Sequence, residues 1–168
     1  MSVGRLQGVN LDADLYETDF VGWTEQQARL LRAAAAQRTN LALDWDHLAE
    51  EVEDLGKSYR RALASHVGTV IEHLLKLECS PAQDPRRGWL GSVRRARTEI
   101  ESWLADEPGL RPRLPGIVAE QMPRTARLVT GLLRDAGEPA EGVTARLQAG
   151  GYSVEQITGD WLPPEPAP

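Results

Sequence analysis

Residues 43–81 read LDWDHLAEEVEDLGKSYRRALASHVGTVIEHLLKLECSP, and this stretch decides the fold. Apolar or small side chains recur along it in steps of three and four residues, at Leu48, Val52, Leu55, Tyr59, Ala62 or Leu63, Val67 or Val70, Leu74 and Leu77. That spacing places them on one face of an α-helix. A helix from an N-cap at Asp44 to Cys79 spans roughly 50 Å. Because its apolar stripe needs cover from other helices, the stretch predicts a helical bundle.

One glycine, Gly56, interrupts the middle of this long helix. A glycine inside a helix costs about 1 kcal/mol relative to alanine, so its presence asks for a structural reason. We expect either a bend or the close approach of another helix at this position.

Three further segments carry the same helical spacing. The first begins near Asp19, with Thr18 or Asp19 as its N-cap, and the second covers residues 87–106 with the tightest seam of the chain. The seam residues, which we expect in the core, are Trp89, Val93, Ala96, Ile100 and Trp103. The last begins near Pro115 and ends at Gly137; Pro123 inside it predicts a kink.

Beyond Gly137 the pattern weakens, and the path of the chain stays open. Ser153 and Gln156 have the spacing of a capping box, which predicts a short helix over 154–158. No segment alternates with a period of two. We therefore predict an all-α, single-domain bundle of four main helices plus a short C-terminal helix, without a sheet. Residues 1–14 are predicted to form a flexible arm, 15–162 the bundle, and 163–168 a Pro-rich tail.

The bulk composition is that of an ordinary soluble domain. The chain has 168 residues, of which 41% are hydrophobic and 26% charged, and its net charge is −6. The acidic balance argues against general nucleic-acid binding, since phosphate affinity needs a surplus of lysine and arginine. A single cysteine, Cys79, fits a reducing cytoplasm. No apolar run is long enough for a membrane span, so no membrane partner is expected.

Two histidines of the long helix are the best candidates for a site. His66 and His73 are seven residues apart, so they share one flank of the helix but lie roughly 10 Å apart along its axis. One metal ion cannot bind both, because Zn–N bonds are about 2.0–2.1 Å. Glu51 and Thr69 lie on the same flank, and the four residues form a candidate cleft. The alternative is that both histidines are half-buried side chains hydrogen-bonded to a neighbouring helix.

Five arginines form a second candidate, an anion-binding patch at the start of the third main helix. They are Arg86, Arg87, Arg94, Arg95 and Arg97. Positive charge at a helix N-terminus opposes the helix dipole. The cluster therefore predicts either an anionic neighbour, inside or outside the chain, or simple solvation.

Recognised catalytic patterns are missing from the sequence. There is no phosphate loop and no nucleophile elbow, and Cys79 ends a helix, where the dipole does not activate a thiol. His47, Glu50 and Glu51 have the spacing of helical metal ligands, but the Glu-x-x-His order of di-iron bundles is reversed and occurs once. We predict no catalytic residue, no metal and no cofactor.

Four blocks of the sequence together resemble a known family. They are YETDFVGWTEQQARLLRA, LDWDHLAEEVEDLGKSYRRAL followed by HLLKLECSP, RGWLGSVRRARTEIESWLADEPGLRP, and YSVEQITGDWLP. They resemble, in the same order, the bacterial family of domain of unknown function 29, over residues 15–162. The resemblance implies an all-α bundle and a small bacterial protein. It implies no activity and no site residue.

Two functions compete. The first is a non-enzymatic interaction or regulatory protein that binds another protein through an exposed helix face, with homo-oligomerisation as an open option. The second is a helical-bundle enzyme, or a metal- or nucleotide-binding protein, with its site beside His66 and His73. Acidic residues from another helix beside those histidines favour the second function, whereas an exposed apolar patch favours the first.

Overall fold

Helices joined by short connections make up the chain. The computed structural model describes residues 11–37 and 41–165. The helices are α1 (Leu11–Thr18), α2 (Phe20–Ala36), α3 (Trp45–Cys79), α4 (Arg86–Asp106), α5 (Leu114–Asp135), α6 (Glu141–Gln148) and α7 (Val154–Thr158), with a 3-10 helix over Pro108–Arg113 between α4 and α5. No strand occurs in these residues. The predicted all-α class is therefore confirmed, with more helices than expected.

Helix α3 is the axis on which the other helices pack. It contacts α2, α4 and α5, and its apolar side chains from Leu63 onward are buried beneath them. The predicted stripe is wrong at the start of the helix, where Leu48 and Leu55 are exposed. The fully buried side chains of α3 include Leu63, Val67, Val70, Ile71, Leu74 and Leu75. Each buried leucine or isoleucine contributes about 1.5–3 kcal/mol relative to an exposed one, so this stripe supplies much of the stability of the fold.

The helix starts follow the capping signals of the sequence. The carboxylate of Asp19 accepts a hydrogen bond from the backbone N–H of Gly22 at 2.8 Å, and α2 begins at the next residue. Asp44 caps α3 through the N–H of His47 at 3.3 Å. Ser153 and Gln156 form a capping box at α7, as predicted. Each cap satisfies a backbone donor that the helix itself leaves free.

Gly56 marks a close approach between α2 and α3. A Cβ at this position would lie 2.1 Å from Oγ1 of Thr24. Thr24 is fully buried, and its hydroxyl donates to the carbonyl of Val21 at 2.8 Å. Helix α3 continues through Gly56 without a break. Of the two alternatives, the close approach is therefore the one observed.

The N-terminal and the C-terminal regions each differ from the sequence-based expectation. Residues 11–14, predicted as part of a flexible arm, belong to α1, while the rest of the arm lies outside the described residues. In the predicted tail, Pro163 is buried, and 166–168 lie outside the described residues. Helix α6 was not predicted, because its eight residues carry one buried apolar side chain, Val143, and so show no stripe.

The segment that leads into α5 also differs. Residues Pro108–Arg113 form a 3-10 helix, and α5 begins at Leu114, one residue before the expected start. Pro123 lies on the exposed side of α5, which stays helical across it and ends before Gly137, whose φ is +71°. Since the ring faces solvent, the missing N–H of this proline does not disturb the core.

The predicted seam of α4 is partly confirmed. Ile100 is buried, but Trp89 and Trp103 are half-buried and pack against the edge of the core. The ring of Trp103 lies edge-on to that of Tyr59, with centroids 5.5 Å apart. The prediction that both tryptophans are core residues was therefore too strong, because a side chain as large as tryptophan is rarely covered completely.

Candidate functional site

The predicted cleft does not come together as one site. About six turns of α3 separate Glu51 from His73, which is roughly 33 Å along the axis. Glu51 is exposed near the start of α3, whereas His66 and His73 are half-buried farther along. Thr69 lines a groove towards α5, and its hydroxyl donates to the carbonyl of Ser65 at 3.1 Å. These four residues thus occupy different surroundings, and their functional role stays a prediction.

His73 has the environment of a neutral side chain. Burial is the main cause that lowers the pKa of its imidazole; Glu72 opposes this shift, and the cations Lys76 and Arg95 each lower the pKa by a smaller amount. Its Nδ1 atom is buried without a hydrogen-bond partner in the described structure. Within residues 11–37 and 41–165, no group of three His, Cys, Asp or Glu side chains is placed to hold a metal ion.

His47 is part of a helix cap. Its Nδ1 lies 2.6 Å from Oδ2 of Asp44, and this contact raises the pKa of the imidazole. The side chain therefore faces the N-cap, and the spacing to Glu50 and Glu51 reflects the acidic first turns of α3.

The five arginines of α4 divide into two groups. Arg87 and Arg94 are exposed, Arg86 reaches the carbonyl of Ser80 at 3.5 Å, and Arg95 donates to Ser92 at 3.3 Å. None of these four forms an ion pair within the part of the chain that the structure describes. The role of these four arginines in binding an anion stays a prediction.

Arg97 is separate from that patch. Its guanidinium donates to the backbone carbonyls of Ile157 at 3.0 Å and of Gln156 and Trp161 at 2.7 Å each. Helix α7 has only five residues, so its last carbonyls need donors from elsewhere. The planar guanidinium supplies several donors at once, which a sequence pattern around residue 97 does not reveal.

A polar clamp joins the end of α3 to the C-terminal helices. The carboxylate of Glu78 accepts hydrogen bonds from the guanidinium of Arg146 and from the hydroxyl of Tyr152, the latter at 2.6 Å. Tyr152 is buried, and burial beside Glu78 raises the pKa of its phenol strongly. The neighbouring Cys79 has a pKa raised to about 11 by burial, so its thiol is protonated and unreactive at neutral pH.

An opening lined by charged and apolar side chains lies between α3 and α5. It has a volume of about 630 Å³ and continues into a second section of about 280 Å³. Lys57 and Arg60 line the second section beside Ile117, whereas Thr69 and Glu72 line the first beside Leu128. Going along the groove from the second section to the first, the residue numbers increase on both helices, so α3 and α5 run in the same direction. We call this feature the α3–α5 groove.

Small side chains allow the two walls of the groove to meet closely. Ala64 and Gly68 line it on α3, and a Cβ at Gly68 would lie 3.4 Å from Oε1 of Gln121 on α5. At the far end, Leu128 is 52% exposed. The groove therefore has a shallow, small-residue floor and one apolar anchor.

Positive charge surrounds the groove. Arg61 from α3 and Arg124 from α5 line both of its sections, and Arg60 lines the second. None of the three has an acidic partner within 4 Å among residues 11–37 and 41–165. Lys57 pairs with Asp54 at 2.9 Å. Sequence reasoning missed this site, because its walls come from segments about sixty residues apart and neither segment carries a recognisable motif.

The acids of the groove leave this positive charge in surplus. Glu72 is held by Lys76 at 2.5 Å, and Glu120 is the other carboxylate that lines it. The groove offers hydrogen-bond donors, cations and a small apolar contact, but no paired nucleophile and base. Chemically, it is suited to bind an extended anionic surface.

Comparison with known proteins agrees with this architecture. A family model described as "Domain of unknown function DUF29" matches residues 15–135. The chain is also similar to an α-helical protein of unknown function from Rhodospirillum rubrum, whose crystal structure was determined at 1.45 Å resolution. The two share 26% sequence identity and a TM-score of 0.58, over 86% of this chain and 89% of that chain. No curated protein matches the chain. No described helix is sufficiently long and apolar to span a bilayer. The chain therefore belongs to the DUF29 family of domains of unknown function.

Proposed function

We propose that this protein is a non-enzymatic interaction module whose α3–α5 groove binds an acidic, amphipathic helix of a protein partner. The observation that carries the proposal is the pair Arg61 and Arg124, which line the groove from its two walls and form no salt bridge within 4 Å among the described residues.

The dimensions of the groove suit a helix. From Lys57 to Glu72 it follows α3 for about four turns, or roughly 22 Å. A ligand helix that lies between two parallel helices needs small residues beneath it, and Ala64 and Gly68 supply them. Helix-in-groove recognition uses apolar anchors spaced by three, four or seven residues. Leu128 gives such an anchor a contact at one end.

The charges select the partner. The chain as a whole carries a net charge of −6, so a cationic groove on it is a local feature and not a general property. Glutamate or aspartate side chains along the flanks of a docked helix would reach Arg60, Arg61 and Arg124. Such complementarity mainly increases the association rate and the specificity of a complex. Double-stranded DNA would meet the repulsion of the acidic surface outside the groove.

The location of the protein is part of the same proposal. The single thiol, protonated and half-buried at Cys79, supports a reducing compartment. We therefore propose that it acts in the bacterial cytoplasm on another soluble protein.

A fluorescence anisotropy titration tests the groove. The probe is a labelled 15-residue helical peptide with leucines at heptad spacing and glutamates on both flanks. The wild-type protein is expected to bind it, and Arg61→Glu/Arg124→Glu to bind at least about tenfold more weakly, because like charges then face each other. The matched control, Arg87→Glu/Arg134→Glu, makes the same charge change at exposed positions away from the groove and should bind as the wild type does.

Two results would overturn the proposal. One is equal binding of the peptide by both double variants. The other is preferential binding of a 20-base-pair DNA duplex, lost in Arg61→Glu/Arg124→Glu, which would make the groove a nucleic-acid site. Circular dichroism spectra of each variant establish that the helices are retained.

A further inference from the structure

One stretch of the chain combines acidic and exposed apolar side chains, which are the properties that we propose the groove recognises. Residues 41–55 contain six acids and neither lysine nor arginine. The same stretch exposes four leucines, with exposed fractions of 62% for Leu41, 50% for Leu43, 41% for Leu48 and 51% for Leu55. Single exposed leucines are common on protein surfaces, but four within one short stretch favour an interaction surface. Of the six acids, Asp44, Glu53 and Asp54 are already paired with His47, Arg32 and Lys57.

Part of this stretch forms an amphipathic helix face. Leu48 and Leu55 are seven residues apart at the start of α3 and share one edge, with Glu51 between them. Glu50 and Glu51 are exposed, and neither has a basic partner within 4 Å among the described residues. The buried side of the same turns, at Ala49, faces away from this edge. We call the exposed surface of 41–55 the acidic leucine face.

A chain cannot place this face in its own groove. Residues 45–55 of the acidic leucine face and the first wall of the groove belong to one unbroken helix, α3, so their separation along the axis is constant. Any contact between them has to be made with another molecule.

We infer that the occupant of the α3–α5 groove is the acidic leucine face of a second copy of this chain, and this inference rests on the proposed function of the groove. Glu50 and Glu51 of one copy reach Arg61 and Arg124 of the other, and Leu48 or Leu55 contacts Leu128. Closed twofold symmetry is the commonest arrangement of such complexes, and it would form the contact twice.

Reversing the charges on both surfaces tests the inference in the full chain. Arg61→Glu/Arg124→Glu makes the groove acidic, and Glu50→Arg/Glu51→Arg makes the leucine face basic. Sedimentation velocity is run at protein concentrations from about 5 to 200 µM and resolves species of about 10 to 100 kDa. The wild type is expected to form more dimer as its concentration increases. Each variant alone should associate at least about tenfold more weakly.

The decisive sample is an equimolar mixture of the two double variants. In a mixed dimer, the acidic face of one variant meets the basic groove of the other, and the reversed pair also matches, so dimerisation should return. High salt should weaken the wild-type and mixed dimers, since it screens exposed charges. The control variant Arg87→Glu/Arg134→Glu should dimerise as the wild type does.

A monomeric wild type at 200 µM, or a mixture that stays monomeric while each variant remains folded, would overturn the second copy as occupant. The groove proposal has its own readout in the peptide titration. A monomer that still binds the acidic peptide in an Arg61- and Arg124-dependent manner refutes only the self-association. A failure of the peptide to bind, together with a salt-insensitive dimer, refutes both.

Discussion

His73 shows how burial decides the behaviour of one titratable side chain. Its imidazole is half-buried on α3, and its pKa is lowered, chiefly by burial. The ring therefore favours the neutral form in the folded state more than in the unfolded chain, whose pKa is near 6.5. The stability from this preference is complete above pH 6.5 and is lost as the pH falls through the lower, folded-state pKa.

His73→Gln should therefore make the protein less sensitive to acid. Urea denaturation at pH 7.5, 6.5 and 5.5 is expected to show a smaller loss of unfolding free energy in the variant than in the wild type. His47→Gln is a control of opposite sign: the pKa of His47 is raised by Asp44, so that contact stabilises below pH 6.5 and weakens as the pH rises. Identical pH profiles for wild type and His73→Gln would contradict this account.

Gly56 illustrates a second effect of a single residue. The lack of room for a side chain at this position outweighs the higher helix propensity of alanine. In Gly56→Ala the new Cβ meets Oγ1 of Thr24, which is fixed by its hydrogen bond to Val21. Although alanine favours helix by about 1 kcal/mol, we expect a net loss of about 1–3 kcal/mol from overpacking.

Thermal and urea denaturation measure this loss. Gly116→Ala, where no atom lies within 4 Å of the new Cβ, should stabilise the protein slightly. The double variant Thr24→Ala/Gly56→Ala removes the clashing hydroxyl and should recover part of the stability. A more stable Gly56→Ala single variant would show that α2 and α3 are not tightly packed there.

At the scale of elements, Arg97 holds α7 in place. Its hydrogen bonds to the carbonyls of Gln156 and Ile157 replace donors that a five-residue helix lacks, and its bond to the carbonyl of Trp161 fixes the segment that follows. Arg97→Gln should lower stability by at least about 1.5 kcal/mol, since hydrogen bonds from charged groups contribute about 1.5–3 kcal/mol. Hydrogen exchange should speed up in residues 152–161 more than in α3.

The neighbour Arg94 provides the matched control. It is exposed on the same helix and makes no ion pair within the described residues, so Arg94→Gln should leave both stability and exchange unchanged. Equal effects of the two substitutions would mean that Arg97 acts through the general charge of α4 and not through α7.

The elements also show how far sequence reasoning reaches. Helices α2, α3, α4, α5 and α7 were predicted near their observed bounds, because each shows an apolar stripe or, for α7, a capping box. Helix α6 and the 3-10 helix were missed, since short elements are held by tertiary contacts and show no periodicity. The close approach at Gly56 was one of two predicted options, and only the position of Thr24 on α2 distinguishes them.

At the scale of the whole molecule, the site was harder to predict than the fold. Periodicity identifies the face that each helix buries, but not which helices become neighbours. The groove joins α3 to α5, so Arg61 and Arg124 meet only once the bundle is assembled. His66 and His73 lie seven residues apart on one unbroken helix, but within the described residues no three His, Cys, Asp or Glu side chains are grouped to hold a metal ion. The arginine cluster of α4 was visible in sequence, whereas the separate role of Arg97 depends on the folded C-terminus.

The continuity of α3 also constrains how this protein can change during evolution. One helix of 35 residues carries both the acidic leucine face and one wall of the groove. Each inserted or deleted residue rotates everything on one side of it by about 100° and shifts it by 1.5 Å. A single insertion after Leu55 would rotate the start of α3 relative to the groove. Ala49 would then turn away from the core, and Glu50 and Glu51 would change direction with it. Length changes in this helix are therefore tolerable mainly in steps of seven residues, which return the two halves nearly to phase.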